Sequence, residues 1–537
     1  MPKKWFKLSF LLSGLAVVSV SVSSCGFFSF SDFDPGSLPS VNTQKIVTEI
    51  PNQNYQKIHD LSFSFEFNNT GGYNPSRHLA NPEQNLSQAY QVYGTGWLFD
   101  WQKPDADLND QRATWTGYFA TNLHVAEALL NPWDNEKYRP SWYDRVPNSE
   151  WLKMPNESDR MDHTLYFNLG KWTNDSDDRI ENKKMSYLPI SNLPKTVYTA
   201  TNFFKEEYKP NWLGEIERNN PNIREYVDFA VISITLDLSY SFDIFGNKKY
   251  NQQREYEIYN KWIVPAKEII KSSWSNDHLE SENDHKQKAT LKTGLFDRTD
   301  YTSAENDLSK MRVFLGGYPY YAGWTRPRYL KNTVRSQVGD YQYRNYGISV
   351  NTNGSPGWTI NASKLSNDIA GQPLNTDSII SANSGIRRGI YNASNATNFM
   401  LVYRNTKYKQ YGYGYVIENS NLSAGSSGSM ALTKQDKVLG IYFGTLATSK
   451  EQEATFGLVA ALYNPSQISV TTRTNDGIEN SRILPYDLIF GNNIMSDRYG
   501  SYRSSIRTLN LNTQMFDLVD NFHHPIQEDE EPINDWA

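Results

Sequence analysis

A serine between glycines is the first residue of this chain whose setting suggests chemistry. Ser427 lies in the segment GSSGSM at 425–430, with one glycine two positions before it and another directly after it. Glycines at these positions permit a tight turn, which can direct the backbone N–H groups of Gly425 and Ser427 to one point. A hydroxyl beside two such donors has the parts that acyl transfer needs for a nucleophile and an oxyanion hole.

A serine nucleophile also needs a base and a group that orients the base, and the sequence offers both. His124 lies in TNLHVA at 121–126, directly after a predicted strand. Asp228 heads the apolar run YVDFAVISI, where a charge is costly without a hydrogen-bonding partner. An imidazole that accepts the serine proton and a carboxylate that orients the imidazole would complete a Ser-His-Asp triad of His124, Asp228 and Ser427.

Each of the three residues also fits a structural role when it is taken alone. Turns of Gly and Ser are common loops. A single histidine at the end of a strand is often part of the packing, and an aspartate at the start of a strand often stabilises a turn. The triad hypothesis therefore depends on the three residues together.

The other motifs argue against a metal or a nucleotide cofactor. The remaining histidines lie in polar or charged segments, and no HExxH motif or paired His/Cys spacing indicates zinc. The GTG and GYG segments lack the GK[ST] or βαβ context of a phosphate-binding loop. We therefore expect no cofactor.

The elements that must position these residues are mainly β-strands. Alternating apolar runs predict strands at 61–67, 89–99, 115–121 and 225–239. A second series begins with KMRVFLGGYPY at 310–320 and continues through TNFMLVYRN, YGYGYVIE, SMALTKQDKVLGIYFGTL and TFGLVAAL. Residues 251–273 have helical spacing. The polar stretches at about 131–222 and 240–309 are interpreted as insertions, with little strand pattern in the first beyond MSYLPI.

The start of the chain has the pattern of an export signal. Three lysines precede an uncharged, mostly apolar run from Leu8 to Val22, which ends on small residues. Val22-Ser23-Ser24-Cys25 is similar to the lipobox of bacterial lipoproteins, which implies cleavage after residue 24 and a lipid on Cys25. We expect residues 1–24 to be a signal peptide, residues 25–58 a tether, and the mature protein to lie on the extracellular face of the membrane. A simple helical anchor with an incidental thiol is the alternative.

Charge and cysteine content exclude two further classes. The chain has 53 basic and 59 acidic residues, and loss of the three lysines in residues 1–24 changes this to 50 against 59, a net charge of −9. Such a balance argues against a nucleic-acid partner. Cys25 is the only cysteine, so a disulfide framework is excluded and stability must come from core burial.

Six segments in chain order resemble the signatures of trypsin-like serine proteases: GTGWLF, ATNLHVA, VDFAVISI, VFLGGYP, AGSSGSMAL and VLGIYFG. With the lipobox, the chain resembles mollicute lipoproteins that bear a trypsin-like peptidase domain, relatives of the mycoplasma immunoglobulin protease, over about 85–465. The resemblance implies a chymotrypsin/trypsin-like double β-barrel with long polar, partly helical insertions. The first barrel would occupy 59–309, the second 310–467, and an extension with an acidic tail 468–537.

Two features depart from that family's pattern. Ser426 precedes the nucleophile where chymotrypsin-type enzymes carry an Asp, so activation through a new N-terminus is not expected. Asp228 follows His124 by 104 residues and precedes Ser427 by 199, each about twice what a compact two-barrel protease requires. The additional residues must lie in the insertions. They make the alignment of Asp228 with the family's aspartate less secure than the alignment of Ser427 with its serine.

The resemblance also implies the position of a substrate pocket. Its floor would be Asn421 and Leu422, and its walls would be Tyr442-Phe443-Gly444 and Phe456-Gly457-Leu458. None of these residues is acidic, and a buried Lys or Arg needs a carboxylate partner. Apolar or neutral side chains are therefore expected before the cut bond.

Two functions remain open at this point. One is a lipid-anchored surface endopeptidase that cleaves host or environmental proteins, for which immunoglobulin is suggested only by the resemblance. The other is a non-catalytic binding or adhesion lipoprotein on a protease-like scaffold, because a fold does not by itself imply a function.

Overall fold

A computed structural model gives the fold of the chain. It describes residues 53–69, 90–129, 164–172, 185–201, 203, 223–274, 294–300, 312–319, 425–447, 455–466, 484–491 and 500–516, with short segments within 276–292, 330–349, 401–422 and 468–483. The signal-peptide prediction and Cys25, Asn421 and the acidic tail lie outside these residues.

The described part of the chain is mainly β, and its strands pair almost entirely in antiparallel fashion. The helices are α1 (Gln53–Leu61), α2 (Leu123–Ala126), α3 (Gln253–Ile258), which passes through a π turn at Tyr259–Ile263 into α4 (Val264–Ser273), and α5 (Tyr502–Thr508). The strands of the first half are β1 (Ser62–Asn69), β2 (Tyr90–Trp101), β3 (Thr114–Thr121), β4 (Thr164–Trp172), β5 (Met185–Ile190), β6 (Lys195–Thr201), β7 (Ile223–Asp237), β8 (Tyr240–Phe242), β9 (Lys248–Tyr250), β10 (Asn276–Leu279), β11 (Ala289–Lys292) and β12 (Arg312–Gly317).

The remaining strands follow in chain order: β13 (Leu330–Lys331), β14 (Val334–Arg335), β15 (Tyr343–Arg344), β16 (Ile348–Ser349), β17 (Leu401–Tyr403), β18 (Thr406–Gln410), β19 (Gly414–Ile417), β20 (Met430–Thr433), β21 (Val438–Ala447), β22 (Thr455–Ala461), β23 (Tyr463–Asn464), β24 (Ile468–Thr474), β25 (Gly477–Ile483) and β26 (Tyr486–Asp487).

The first sheet has the order β17-β18-β7-β3-β2-β1-β4-β5, with β6 also paired to β7. β5 is the last strand of this order, and β6 pairs with β7. The two strands are consecutive in the chain and are connected by residues 191–194. The side chains of β1 show how such a strand is specified. Phe63, Phe65 and Phe67 point to one face and are fully buried, as the period of two predicts. On the other face Ser64 bonds the Tyr187 hydroxyl at 2.6 Å.

The second sheet has the order β13-β12-β20-β21-β22-β19, with β16 also paired to β12. β20 follows the turn that carries Ser427, and it pairs on one side with β12 and on the other with β21. The turn is thus fixed to the middle of the sheet. One continuous apolar cluster includes buried residues of both sheets.

The helix predicted at 251–273 forms as α3, the π turn and α4. Its apolar face is directed to the core, where Ile258, Ile263, Ala266 and Ile270 are buried. Within the described residues, no helix is long and apolar enough to cross a membrane.

The interpretation of 131–222 as inserted surface structure needs correction. This stretch contains β4, β5 and β6, which are strands of the first sheet. β4 contributes Phe167 and Leu169 to the core, and both side chains are fully buried. Only β5, the MSYLPI segment, was expected there.

Two other boundaries differ from expectation. Helix α1 begins at Gln53, and the side chains of Tyr55 and Ile58 are fully buried, so residues 53–58 belong to the folded part and not to the tether. At the other end, part of the segment interpreted as an extension is packed in the core, including Leu488, Tyr502 and Ile506.

Candidate active site

The imidazole of His124 and the carboxylate of Asp228 are in direct contact. His124 Nδ1 lies 2.6 Å from Asp228 Oδ2, and the backbone N–H of His124 donates to Oδ1 at 3.1 Å. Both residues are buried, with 9% and 4% of their surface exposed. One carboxylate thus binds the ring and the backbone of the same residue, which fixes the orientation of the ring.

The elements that carry this pair are adjacent in the first sheet. His124 lies in the single-turn helix α2, which follows β3 after Asn122, and Asp228 lies within β7, the neighbour of β3. The side-chain amide of Asn122 donates to the backbone carbonyl of Asp228 at 2.6 Å. The end of β3 is therefore linked to β7 through both backbone and side-chain groups of these residues.

Ser427 lies in a turn between two glycines that have positive φ angles. Gly425 has a φ of +88° and Gly428 a φ of +97°, values that side chains of L-residues rarely permit. Gly428 also has no room for a side chain, because a Cβ atom there would lie 1.9 Å from the carbonyl oxygen of Thr95. Both glycines that the sequence indicated are thus required by conformation, and Gly428 is required by space as well.

Hydrogen bonds hold the turn on both sides of Ser427. The carbonyl of Ser426 accepts from the backbone N–H of Ser429 at 2.9 Å and from its hydroxyl at 2.6 Å. The carbonyl of Ser427 accepts from the N–H of Thr95 at 2.8 Å, and the N–H of Gly428 donates to the backbone carbonyl of Tyr442 at 2.9 Å. The turn is therefore tied to β21 of its own sheet and to β2 of the first sheet.

The same contacts bring the turn to the end of β3 that precedes His124. The hydroxyl of Thr121 donates to the Thr95 carbonyl at 2.8 Å, and a Cβ on Gly428 would lie 2.7 Å from that hydroxyl. Thr121 is three residues before His124. The turn that carries Ser427 thus lies against the end of β3 that leads to His124.

The residues expected to line a pocket are placed in part by the structure. Leu422, Tyr442 and Phe443 are buried, and the Tyr442 hydroxyl donates to the carbonyl of Leu422 at 3.0 Å. In the ladder between β21 and β22, Gly444 pairs with Leu458, and Gly457 is the partner of the residue after Gly444. The expected floor and wall are therefore in contact at Leu422 and Tyr442.

Sequence reasoning did not identify Thr95, Thr121 and Tyr318 as parts of the site. The backbone N–H of Tyr318 donates to the Thr95 hydroxyl at 3.0 Å, which joins the end of β12 to β2. Burial raises the pKa of the Tyr318 phenol well above its usual value, so the phenol remains protonated and donates to the Ser62 carbonyl at 3.3 Å. All three residues lie in segments that resemble protease signatures, GTGWLF, ATNLHVA and VFLGGYP, but those segments indicated strands and loops and gave no role to these side chains.

Among the described residues, no group of three His, Cys, Asp or Glu side chains is arranged to hold a metal ion. The candidate site combines a histidine and a carboxylate in contact with each other and a hydroxyl-bearing turn that is bonded to both sheets.

The sequence profile described as mycoplasma immunoglobulin protease matches residues 52–444. The chain belongs to this family. An uncharacterized lipoprotein of Mycoplasmoides gallisepticum is 50% identical over 96% of this chain and 89% of its own length. An uncharacterized lipoprotein of Mycoplasma genitalium is 27% identical over 96% of this chain and 94% of its own. These relatives are named lipoproteins, which is consistent with attachment to a membrane.

A solved structure described as that of the mycoplasma MIB and MIP proteins is also similar, with a TM-score of 0.37 and 13% identity. The alignment covers 83% of this chain and 63% of that one, so the chain spans less than two thirds of the solved chain's length.

Proposed function

We propose that this protein is a lipid-anchored surface serine endopeptidase that uses Ser427, His124 and Asp228 as a catalytic triad. The observation that carries the proposal is the buried pair of His124 and Asp228, with 2.6 Å between Nδ1 and Oδ2. A buried carboxylate is costly unless its charge is matched by donors. Here the donors are the ring and the backbone of one histidine, which is the arrangement that prepares an imidazole to act as a base.

The pair defines which ring nitrogen takes part in proton transfer. With Nδ1–H donated to Asp228, Nε2 carries the lone pair that accepts the Ser427 proton. The Ser427 oxygen then bonds to the carbonyl carbon of the substrate, and His124 returns the proton to the leaving amine. Water hydrolyses the acyl-enzyme in the same way, with His124 again as the base.

The turn supports the assignment of an oxyanion hole at Gly425 and Ser427. In a trans peptide the C=O and N–H groups point in opposite directions. Because the Ser426 carbonyl is held by Ser429, the N–H of Ser427 points away from Ser429. That amide, with the amide of Gly425, would stabilise the charge that develops on the substrate oxygen.

The strand order supports the double β-barrel as the scaffold. In the first sheet the ladder runs β5-β4-β1-β2-β3-β7-β6, and the chain passes from β5 directly into β6. A closed barrel needs its first and last strands to meet, and a link of only four residues keeps the end of β5 near the start of β6, which favours such closure. In this proposal the first barrel lies in 59–309 and the second in 310–467.

Protein substrates follow from the proposed chemistry, and immunoglobulin is the first to test because the family carries that description. The pocket proposal of Asn421, Leu422, Tyr442, Phe443, Gly444 and Gly457 is part of the same hypothesis. The expectation of no metal, no nucleotide cofactor and no nucleic-acid partner also remains part of it.

A diacylglycerol on Cys25 is the proposed anchor, at the extracellular face of the membrane. Replacement of Cys25 by Ser removes the acylated sulfur, and the protein is expected to become soluble or to remain uncleaved. The measurement is detergent phase partitioning after confirmation of the mature N-terminus. Firm membrane association of a correctly cleaved Cys25→Ser protein would count against this anchor.

The test of catalysis is covalent labelling with a fluorophosphonate probe, which reacts with activated serines. The wild-type protein is expected to be labelled and Ser427→Ala is expected not to be. Ser426→Ala is the matched control, since it removes a neighbouring buried hydroxyl that has no hydrogen-bond partner among the described residues. If trypsin is labelled in parallel and the wild-type protein is not, the alternative of a non-catalytic binding lipoprotein is favoured.

A further inference from the structure

The segment Gly94-Thr95-Gly96 of β2 lies between the helix that carries His124 and the turn that carries Ser427. A Cβ on Gly94 would lie 2.3 Å from a methyl group of Val125, the residue after His124. A Cβ on Gly96 would lie 2.0 Å from the ring of Phe65, so the core also packs against the backbone here. The neighbouring Thr95 side chain points to the opposite face of the strand, as alternation requires.

Thr95 directs two hydrogen bonds at the nucleophile turn. Its N–H donates to the carbonyl of Ser427 at 2.8 Å, and its hydroxyl donates to the carbonyl of Gly425 at 2.9 Å. Thr95 is completely buried, and a buried hydroxyl makes such bonds without competition from water. One residue of the first sheet therefore holds the backbone on both sides of the serine.

The hydroxyl of Thr95 is itself oriented by the second sheet. It accepts the N–H of Tyr318 at 3.0 Å, and with that lone pair occupied its proton is available for Gly425. The carbonyl of Thr95 accepts the hydroxyl of Thr121. The four polar contacts of Thr95 thus join β2, β3, the end of β12 and the turn.

We propose that Thr95 is a positioning residue for the nucleophile: its hydroxyl fixes the peptide that follows Gly425 and its amide fixes the peptide that follows Ser427. The serine and its flanking amides then remain in one orientation when substrate binds. The role rests on the proposed function, because it concerns the reactivity of Ser427. The fixed turn itself is a structural property that can be measured without activity.

The consequence of losing the hydroxyl is a turn that samples other peptide orientations. Thr95→Val keeps the shape of the side chain but can neither donate to Gly425 nor accept from Tyr318. Thr95→Ser keeps both bonds. Misplacement of a reacting group by about 1 Å can reduce rates about 100-fold. The Val variant is therefore expected to react with the fluorophosphonate probe about 10- to 100-fold more slowly, and the Ser variant within about threefold of wild type.

The experiment separates the two steps of labelling, reversible binding of the probe and reaction with the serine. A positioning role predicts a slower reaction step with unchanged probe binding, together with faster hydrogen–deuterium exchange in a peptide that covers 425–430. Thr116→Val is the matched control, because it removes a threonine hydroxyl of the same sheet whose partner, Thr235, is remote from the turn in the sheet register. This control is expected to change neither measurement. If Thr95→Val does not fold, Thr95→Ala replaces it.

Two results would overturn the assignment. One is a Val variant that reacts, or exchanges, as the wild type does. The other is a Ser variant as impaired as the Val variant, since the hydroxyl would then not be the determining group. If the wild-type protein is not labelled at all, the endopeptidase proposal fails, and the exchange data alone still decide whether Thr95 holds the turn.

Discussion

The carboxylate of Asp100 in β2 accepts a hydrogen bond of 3.0 Å from the phenol of Tyr502, which lies 402 residues further along the chain. The same carboxylate accepts the backbone N–H of Met515 at 3.0 Å and that of Trp101 at 2.8 Å. Asp100 is completely buried. Asp100 of the first sheet therefore binds the segment 502–515 through Tyr502 and Met515. Donors of the protein take the place of water around its carboxylate.

This arrangement predicts a pH dependence of stability. Burial raises the pKa of Asp100 to about 6, although the hydrogen bonds to its carboxylate act in the opposite direction. Its pKa in the unfolded chain is about 3.9. The folded state thus binds the proton more tightly, and the stability from this group is present below about pH 4 and is lost as pH rises through about 6. The change is at most about 3 kcal/mol.

Replacement of Asp100 by Asn should remove this pH dependence. The Asn oxygen can accept the two backbone N–H groups, and its amide can donate to the Tyr502 hydroxyl, which can turn to accept it. We expect the free energy of unfolding in urea to fall less between pH 4 and 7 in Asp100→Asn than in the wild type. Identical pH profiles for the two proteins would show that Asp100 has an ordinary pKa in the folded state.

Much of this chain's architecture was predictable, and the failures have physical causes. The strand expected at 225–239 is β7 at 223–237, and the helix at 251–273 forms within two residues of that range. β4 was missed because Asn168 and Lys171 interrupt its apolar pattern. These two are buried with partners distant in the sequence: Asn168 donates to Glu66, and the Lys171 ammonium donates to the carbonyl of Asp60 at 2.7 Å.

Part of the candidate site also has signals in the sequence. A glycine-bounded serine and a histidine after a strand are local signals, and His124 and Asp228, which were expected to interact, are in contact at 2.6 Å. Their catalytic role stays a prediction. The GTG segment around Thr95 indicates only a strand, because the role of the Thr95 side chain comes from contacts with Gly425 and Tyr318, which lie more than 200 positions away. Polar groups that serve nonlocal contacts look the same in sequence as polar groups at a surface.

Alanine at Gly428 is expected to abolish labelling of Ser427. A side chain there has to adopt a φ near +97° and also displace the Thr95 carbonyl, which lies 1.9 Å from the position of the new Cβ. The combined cost is expected to be about 2–4 kcal/mol in stability, with the turn distorted in whatever folded protein remains.

Gly246→Ala separates the cost of the positive φ angle from the cost of the steric clash. Gly246 has a φ of +78°, but a Cβ there meets no atom within 4 Å. This variant should therefore be destabilised only by the conformational cost, about 1–2 kcal/mol, and its Ser427 should react with the probe as in the wild type. Thermal unfolding and labelling rates are measured for both variants. Equal labelling of Gly428→Ala and Gly246→Ala would mean that Ser427 reacts without the positive φ angle and close packing observed at Gly428.

Replacement of Asp228 by Asn is expected to reduce turnover by up to about 10⁴-fold while the fold is kept. The backbone N–H of His124 requires an oxygen at the position of Oδ1. The Asn amide must then face the ring at Nδ1, where it donates a hydrogen bond. This stabilises the tautomer with the proton on Nε2, and that tautomer cannot accept the Ser427 proton.

The kinetic control uses the single and double variants of the other two residues. Ser427→Ala and His124→Ala should each lower the rate about as much as both together, because members of one mechanism are not additive. A fully active Asp228→Asn enzyme would mean that another carboxylate orients His124. Additive losses in the double variant would show that one of the two residues is outside the triad.

Cleavage is expected after apolar or neutral residues and not after Lys or Arg. The pocket residues that the structure describes, including Leu422, Tyr442 and Phe443, carry no charge, and Tyr442 already uses its hydroxyl to bind the Leu422 carbonyl. A cation buried without a carboxylate partner costs several kcal/mol, which exceeds the gain from packing its aliphatic stem. The measurement is proteomic mapping of cut sites in serum and surface proteins, with immunoglobulin included. Ser427→Ala, purified in parallel, shows which cuts come from contaminating proteases. A majority of Ser427-dependent cuts after Lys or Arg would refute this pocket and leave the triad in place, since the pocket and the triad involve separate residues.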